Sequence, residues 1–272
     1  MLSLEQYVKK DKEKIKGWLT WIDAEIIRTL LSSNNETLTP RLALEIGVHR
    51  GKSAILFLLS PSIQKLVAVD LFENQLANVD KSGSGRLNEF LENIKKFQID
   101  SSKVEIISTD STLLTPGEIQ VKYQFFNIIH IDGGHTKMVV LHDLNLSGQI
   151  LSSNGVIIVD DFLRPDWPEV GQAVYEWLSL NTTFKIFCIG SNKVFICKEN
   201  FRTSWQDQVF GNHDLQYFWR KESFIDGFKV PSYYHHITTE WGVKKKIYEY
   251  VRIFHPNVFI FYKKLTKSSL KT

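Results

Sequence analysis

Seven short apolar runs recur through the middle of this 272-residue chain and restrict what it can fold into. Stretches with the three-to-four spacing of amphipathic helices separate most of the earlier runs. The predicted strands are Leu42–Ile46, Leu66–Val69, Val104–Ile107, Phe125–Ile131, Gly155–Val159, Phe184–Ile189 and Val194–Cys197, and the predicted helices are Ser53–Leu59, Arg86–Phe97, Lys137–Leu151 and Val170–Leu180. Unbroken apolar strands that alternate with helices indicate an α/β protein with a doubly wound, largely parallel sheet.

The last two apolar runs are joined only by Gly190-Ser191-Asn192. A turn of this length has no room for a crossover helix, so the two strands are predicted to pair antiparallel. The result is a seven-stranded sheet of five β/α units whose last strand is antiparallel. A plain dinucleotide-binding fold lacks this closing hairpin.

The two ends of the chain differ from its middle. Residues 1–34 carry apolar side chains at helical spacing, and residues 200–272 hold 17 of the 34 aromatic residues without a clear period. The last segment is basic, with 12 Lys/Arg against 6 Asp/Glu, whereas residues 1–200 carry 21 against 24. We therefore expect an N-terminal helical segment (1–34), a ligand-binding core (35–199) and a C-terminal extension (200–272).

Composition excludes several classes of protein. The 43% hydrophobic and 23% charged content is that of an ordinary globular protein. Two cysteines, Cys188 and Cys197, are too few for a disulfide framework or a paired-cysteine zinc site. The N-terminus lacks the apolar run of a secretory signal, and the later runs are too short to span a membrane. A cytoplasmic location is the expectation.

The first strand leads into a glycine turn with the sequence Leu44-Glu45-Ile46-Gly47-Val48-His49-Arg50-Gly51-Lys52-Ser53. Gly47 admits backbone angles that other residues avoid, Gly51 lets a ligand approach the main chain, and the following helix offers free N–H groups. The turn is one residue short of a phosphate loop and lacks the third glycine of a dinucleotide fingerprint. It predicts a bound ligand without identifying it.

An acidic residue lies at or just beyond the end of each of the first five predicted strands. In a doubly wound sheet, ligands bind beyond the carboxyl ends of the strands. Carboxylates gathered at one edge repel one another unless a cation or a hydrogen-bond donor neutralises them. These acids therefore predict a ligand site, and they are Glu45, Asp70, Asp110, Asp132 and the pair Asp160-Asp161.

Two kinds of ligand account for these acids. Asp70 is placed to accept hydrogen bonds from ribose hydroxyls, and Asp110 with Ser111 can accept from an adenine amino group. We expect Glu45 to buttress the glycine turn.

The remaining acids, Asp132, Asp160 and Asp161, end two adjacent strands. Three oxygen ligands without Cys or His between them favour a hard divalent cation such as Mg²⁺, Mn²⁺ or Ca²⁺. The competing interpretation is that one residue of the Asp160-Asp161 pair faces the site and the other caps the next helix.

Several sequence segments occur in an order that is typical of one enzyme family. They are Ala43–Ser53, Val69–Gln75, Ile131–His135 and Val159–Phe162, accompanied by Gly17–Leu19 and Trp167–Val170. Over about residues 15–198 the chain resembles class I S-adenosylmethionine-dependent methyltransferases, within the branch of bacterial metal-dependent O-methyltransferases of sugars and natural products. The resemblance implies a Rossmann-like methyltransferase core that binds S-adenosylmethionine through Glu45, Gly47, Gly51, Ser53, Asp70, Asp110 and Ser111, and a divalent cation, most often Mg²⁺, on Asp132, Asp160 and Asp161.

The activity that the resemblance implies is methyl transfer to a hydroxyl of a sugar or glycan-type acceptor, such as a nucleotide sugar. A cation chelated by vicinal hydroxyls lowers their pKa and fixes the attacking oxygen.

Relatives of this type can carry a second acid as general base two residues after the first metal ligand, and here that position is Gly134. His135 is the nearest candidate base beside Asp132, and the alternative is that His135 caps the helix or contacts the cofactor.

Two other functions fit the same residues. One is a metal-independent methyltransferase of small phenolic or carboxylic acceptors, and the other is a non-catalytic cofactor-binding scaffold in a glycan assembly cluster.

The extension has three interpretations: acceptor binding, packing on the core or on a second subunit, and contact with an anionic membrane surface through Lys244-Lys245-Lys246 and the tail Lys263–Lys271. Nucleic acid is not an expected partner, because the charge excess is modest and no RNA-binding motif is present.

Overall fold

The computed structural model describes residues 3–33, 41–225 and 227–234, together with residues 251, 255 and 258. Nine strands lie within these residues: β1 (Leu42–Ile46), β2 (Lys65–Asp70), β3 (Val104–Ser108), β4 (Phe126–Ile131), β5 (Leu151–Val159), β6 (Phe184–Ile189), β7 (Val194–Lys198), β8 (Trp219–Ile225) and β9 (Phe228–Tyr234). They form one sheet in the order β3-β2-β1-β4-β5-β7-β6-β9-β8. Pairs that involve β7 or β8 are antiparallel, and the other pairs are parallel.

Helices cover both faces of the sheet. In the described ranges they are α1 (Leu4–Lys9), α2 (Trp21–Leu31), α3 (Lys52–Leu58), α4 (Leu87–Lys96), α5 (Pro116–Tyr123), α6 (Lys137–Ile150), α7 (Pro168–Leu180) and α8 (Arg202–Phe210). Side chains of α2, α3 and α4 share a core with Ala43 and Ile128, whereas those of α5, α6 and α7 share a second core with Leu44 and Ile129. Successive residues of β1 and β4 thus point to opposite sides of the sheet.

The predicted doubly wound α/β class with its antiparallel closing strand is confirmed. The predicted strand number of seven is wrong, because the hairpin β8–β9 of the extension continues the sheet beyond β6, where Ile189 pairs with Ser232. Helix α5 is absent from the predicted set although Thr115 and Glu118 form a capping box at its start. Its Val121 is 91% exposed, so the helix has only a weak apolar stripe.

The described part of the extension packs on the core. Trp205, Val209 and Leu215 are buried in the same cluster as α2, and the Trp205 indole N–H donates to the carbonyl oxygen of Asn154 at 3.1 Å. The predicted membrane-contact residues Lys244–Lys246 and Lys263–Lys271 lie outside the described residues. None of the helices in the described ranges combines the length and the apolar composition that a membrane-spanning segment needs.

Strand register brings the predicted site together at one edge of the sheet. Ile46 at the end of β1 pairs with Val69 of β2 and with Ile131 of β4, and Ile131 pairs with Val159 of β5. The four carboxyl ends are therefore level. Because β7 is antiparallel, its first residue, Val194, pairs with Val159, so the turn before β7 reaches the same edge.

An N-terminal side chain holds that turn in place. Asp23 of α2 is fully buried, and its carboxylate accepts hydrogen bonds from the backbone N–H groups of Ser191 at 2.9 Å and Asn192 at 3.1 Å. A Cβ atom at Gly190 would come within 1.9 Å of the Asp23 carboxylate. Helix α2 therefore serves as a support for the β6–β7 turn.

We expect Asp23→Ala to lower the free energy of unfolding by about 2–4 kcal/mol, because it leaves two half-buried backbone donors of the turn without partners. Urea denaturation followed by circular dichroism measures this loss. Glu92→Ala, at an exposed position of α4, is the control and should stay within about 0.5 kcal/mol of the wild type. Equal stability of the two variants would contradict the supporting role of Asp23.

Candidate active site

A cavity of about 440 Å³ opens at the edge where the strand ends meet. Five of the seven residues predicted to bind the cofactor line it, and Glu45 and Gly51 lie beneath it. The predicted catalytic and metal-binding residues also line it. The lining residues among the predicted set are Gly47, Ser53, Asp70, Asp110, Ser111, Asp132, His135, Asp160 and Asp161.

The glycine turn fits tightly against its surroundings. Gly47 has φ of 86°, and a Cβ atom there would lie 1.8 Å from the carbonyl oxygen of Asp132. Gly51 has φ of 83°, caps helix α3, and would place a Cβ atom 2.4 Å from the ring of Phe90. Both positions therefore exclude side chains, and the main chain of the turn forms the cavity wall at Gly47.

Asp70 is fixed by the backbone around it. Its carboxylate accepts hydrogen bonds from the N–H groups of His49 at 2.7 Å and Phe72 at 2.6 Å. Burial raises the pKa of Asp70, and these hydrogen bonds oppose that rise. The carboxylate keeps further lone pairs that face the cavity.

Asp110 and Ser111 form the opposite wall. The Asp110 carboxylate accepts from the backbone N–H of Thr112 at 2.9 Å and from its hydroxyl at 2.8 Å, which closes a short 3₁₀ turn. Ser111 is buried beside this turn. A local hydrogen-bonded turn thus positions both side chains at the cavity.

A buried lysine lies among the predicted metal ligands. Lys193, in the turn before β7, is 1% exposed, and its Nζ lies 2.5 Å from Oδ2 of Asp160 and 3.9 Å from Oδ2 of Asp132. Burial alone would lower the pKa of Lys193, but the charges of Asp160 and Asp132 raise it above its ordinary value. The ammonium therefore provides a fixed positive charge at the point where β4, β5 and β7 meet.

The ammonium also organises a chain of buried groups below the cavity. Lys193 can only donate, so Nε2 of His130 accepts at 2.9 Å and Nδ1 of His130 donates to Oε1 of Glu45 at 2.8 Å. The Ser53 hydroxyl donates to the same Glu45 oxygen. Burial raises the pKa of Glu45 to about 8 and lowers the pKa of His130 well below its ordinary value. Glu45 supports the turn from below through Ser53.

Asp160 has donors on both of its oxygens. Oδ2 is bound by Lys193, and Oδ1 accepts from the Asp161 backbone N–H at 2.8 Å and from Nδ2 of Asn192 at 2.6 Å. Both Asp160 and Asp161 line the cavity, and neither caps the next helix, which begins after Trp167. Asp161 has a left-handed backbone conformation with φ of 57°.

His135 connects two carboxylates across the cavity. Its Nε2 lies 2.9 Å from Oδ2 of Asp161, and its Nδ1 lies 2.9 Å from Oδ2 of Asp80. Its ring stacks on Trp167 with centroids 4.3 Å apart and planes inclined by 17°. Burial alone would lower the pKa of His135, but the hydrogen bonds to Asp161 and Asp80 raise it. The predicted base is therefore held from both sides.

Asp80, Asn192 and Lys193, which bind predicted site residues, are among the polar residues absent from the sequence predictions. Asn192 and Lys193 belong to the short turn that precedes an antiparallel strand. Such a turn must lie at the carboxyl edge of the neighbouring parallel strands. The antiparallel pairing could therefore have been used to place Asn192 and Lys193 at the site. Asp80 lies in a polar loop with no periodic pattern, and its contact with His135 depends on tertiary structure.

Comparison with known proteins identifies the middle segment of this chain. Residues 44–162 match a sequence profile described as a methyltransferase domain. This segment is a methyltransferase domain. The chain is similar in structure to the O-methyltransferase NovP, with a TM-score of 0.54, 17% sequence identity and coverage of 64% of this chain and 78% of NovP. It is also 27% identical over 177 residues to uncharacterized protein R132 of Acanthamoeba polyphaga mimivirus, which is 62% of this chain and 72% of that protein.

The methyltransferase domain includes the glycine turn and the predicted metal-binding aspartates, since the matched segment begins at Leu44 and ends at Phe162. The similarity to NovP shows that the fold is the class I methyltransferase fold. The family recognised from the sequence segments is thereby confirmed. The turn between β6 and β7 lies beyond the matched segment and contributes Asn192 to the same cavity.

We expect Lys193→Met to lower the free energy of unfolding by about 3–5 kcal/mol, because it leaves buried carboxylates without their cation. The double variant Lys193→Met/Asp160→Asn should lose less stability than Lys193→Met alone, because the charge of the Asp160 carboxylate is then absent. A double-mutant cycle measured by urea denaturation should give a coupling energy of about 1–3 kcal/mol between the two positions. Additive effects would contradict the ion pair.

The buried Glu45 predicts a pH dependence of stability. Its pKa rises from 4.5 to about 8 on folding, so its stabilising contribution is complete below about pH 4.5 and is lost as pH rises through 8. Between pH 6 and 8 the free energy of unfolding of the wild type should fall by up to about 1.4 kcal/mol per pH unit more than that of Glu45→Gln. Urea midpoints at both pH values test this, and parallel pH profiles would refute it.

Proposed function

We propose that the chain transfers a methyl group from S-adenosylmethionine to a hydroxyl of a sugar or glycan-type acceptor, with a divalent cation assisting. The observation that carries the proposal is the convergence of the glycine turn and the strand-end acids on one cavity of a methyltransferase domain. Reaction within one cavity brings the donor methyl and the acceptor oxygen into line, which is the main requirement of a methyl transfer.

The cofactor is held along the first three strands. Gly47 lets the donor approach the main chain, and Asp70 accepts hydrogen bonds from its ribose hydroxyls. Asp110 and Ser111 accept from the adenine amino group. The positions of Asp70 and Asp110 support these roles, because both carboxylates are fixed by hydrogen bonds and line the cavity.

The acceptor binds at the side of the cavity that carries aromatic rings. Trp18 is 76% exposed, lines the cavity and stacks on His49 with centroids 5.8 Å apart. Trp167 lines it near the aspartates. Exposed indole faces suit the apolar faces of sugar rings. A phenolic acceptor would use the same rings, and this is the second candidate function.

The donor atoms around the cavity fit a divalent cation. Asp132 and Asp161 face the cavity together with His135, and one atom of each lies within 4.8 Å of the other two. Asp160 contributes indirectly, because Lys193 and Asn192 bind its oxygens. When bound, the cation would lower the pKa of the acceptor hydroxyl and hold its oxygen.

Asp132 accepts the proton of the attacking hydroxyl in this proposal. Of the three aspartates, its side chain keeps the largest exposed fraction, 25% against 7% for Asp160 and 13% for Asp161. The two ring nitrogens of His135 lie 2.9 Å from Oδ2 of Asp80 and 2.9 Å from Oδ2 of Asp161, so both are already engaged by carboxylates and neither takes this proton.

Two variants separate cofactor binding from transfer. Asp70→Asn should weaken S-adenosylmethionine binding at least about tenfold, because hydrogen bonds to a charged acceptor contribute about 1.5–3 kcal/mol. Asp132→Asn should reduce transfer by at least about 100-fold, since proton transfer contributes that much, and leave cofactor affinity within about threefold. Calorimetry measures the affinities, and S-adenosylhomocysteine formation with nucleotide sugars, glycans and phenols measures transfer.

Each alternative predicts a different result in the same experiments. Failure to bind S-adenosylmethionine would contradict the proposed function. Cofactor binding without product from any acceptor class would favour the non-catalytic scaffold. Full activity in excess chelator would exclude the divalent cation and favour the metal-independent enzyme.

A further inference from the structure

We infer that the divalent-cation site of this chain contains an imidazole as well as carboxylates. Asp132, Asp161 and His135 would together bind Mn²⁺, Fe²⁺ or Co²⁺ in preference to Mg²⁺. The inference rests on the proposed function, because it concerns the same cavity. It replaces a ligand set of three aspartates by a mixed set in which Asp160 does not contact the ion.

The geometry of the three side chains supports a common ion. Their ligand atoms lie within 4.8 Å of one another. Nε2 of His135 lies 2.9 Å from Oδ2 of Asp161, so both atoms face the same small space. The side chains are 11%, 13% and 25% exposed for His135, Asp161 and Asp132, which shields the site but leaves it open to the cavity.

His135 is held in the way that metal-binding histidines are held. A ligand histidine usually presents one ring nitrogen to the metal and donates from the other to a carboxylate. Here Nδ1 lies 2.9 Å from Oδ2 of Asp80, and that oxygen also accepts from the His135 backbone N–H at 2.5 Å. Trp167 stacks on the ring. These contacts leave Nε2 directed at Asp161.

Asp160 is unsuited to the role of third ligand because internal donors already bind its oxygens. Lys193 lies 2.5 Å from one oxygen, and Asn192 with the Asp161 backbone N–H binds the other. In Asp161, Asn192 binds Oδ1 at 2.8 Å, but no ammonium of the described residues contacts Oδ2, which faces His135. The ammonium of Lys193 would also repel an ion placed against Asp160. His135 supplies the donor that Asp160 cannot supply.

The imidazole decides which ion the site prefers. Mg²⁺ demands oxygen ligands in near-ideal octahedral geometry and is usually bound through carboxylates and water. Imidazole nitrogen suits later divalent ions of the first transition series, whose affinity for such sites rises along the series. A set of two carboxylates and one imidazole therefore favours Mn²⁺, Fe²⁺ and Co²⁺ over Mg²⁺.

Calorimetry on the full chain, freed of metal by chelation and dialysis, tests this with MnCl₂ and MgCl₂ as separate titrants. The wild type should bind Mn²⁺ at least about tenfold more tightly than Mg²⁺. His135→Gln should weaken Mn²⁺ binding by about tenfold or more and change Mg²⁺ binding less than threefold. Asp80→Asn should weaken Mn²⁺ binding by about 10–100-fold, as expected for the partner of a ligand histidine.

His142→Gln is the matched control, because His142 lies on helix α6, which begins two residues after His135, and its ring contacts Asp143. It should leave both affinities unchanged, and urea denaturation confirms that each variant is folded. As a second measurement, the visible spectrum of the Co²⁺-loaded wild type should change in His135→Gln and remain unchanged in His142→Gln.

Three results would overturn the inference. They are equal Mn²⁺ and Mg²⁺ affinities in the wild type, an unchanged affinity ratio in folded His135→Gln, and absence of metal binding by a wild type that still binds S-adenosylmethionine. Failure to bind S-adenosylmethionine would instead contradict the proposed function, so calorimetry with the cofactor is run on the same preparation. The two failures are thus distinguishable.

Discussion

The buried ammonium of Lys193 is the interaction on which this site depends. Five strands bring carboxyl groups to one edge, and without a compensating charge those groups would repel one another. Lys193 contacts Asp160 directly, lies near Asp132, and connects through His130 to Glu45 beneath the glycine turn. One cation thus stabilises both the acidic cluster and the support of the turn, and it reaches this place only because β7 runs antiparallel.

Much of the fold could be predicted from the sequence, because buried parallel strands are continuous apolar runs. The predicted bounds of β1 and β6 match the structure, those of β3, β4 and β7 differ by one residue at one end, and those of β2 differ by one residue at each end. Strand β5 begins four residues before its prediction, in the polar stretch Ser152-Ser153-Asn154. Strands β8 and β9 mix charged, polar and aromatic residues at the edge of the sheet, so no apolar run marks them.

The acidic half of the site could also be predicted, because residues that follow parallel strands must meet at one edge. The charges that balance these acids could not be predicted in the same way. Lys193 and Asp80 lie in loops, and their partners are determined by how the loops fold back over the strands. The different contacts of Asp160 and Asp161 have the same origin. Nothing in the sequence distinguishes two adjacent aspartates, and in the fold Lys193 binds the first and His135 contacts the second.

The loop that carries Asp80 contacts both Asp70 and His135. Near one end Gly85 packs against the carboxylate of Asp70, and toward the other Asp80 holds His135. Within the loop, Asn78 donates to the Ser82 carbonyl oxygen at 2.8 Å, which ties the intervening residues together. A single short piece of chain therefore contacts both the predicted ribose-binding carboxylate and the predicted base.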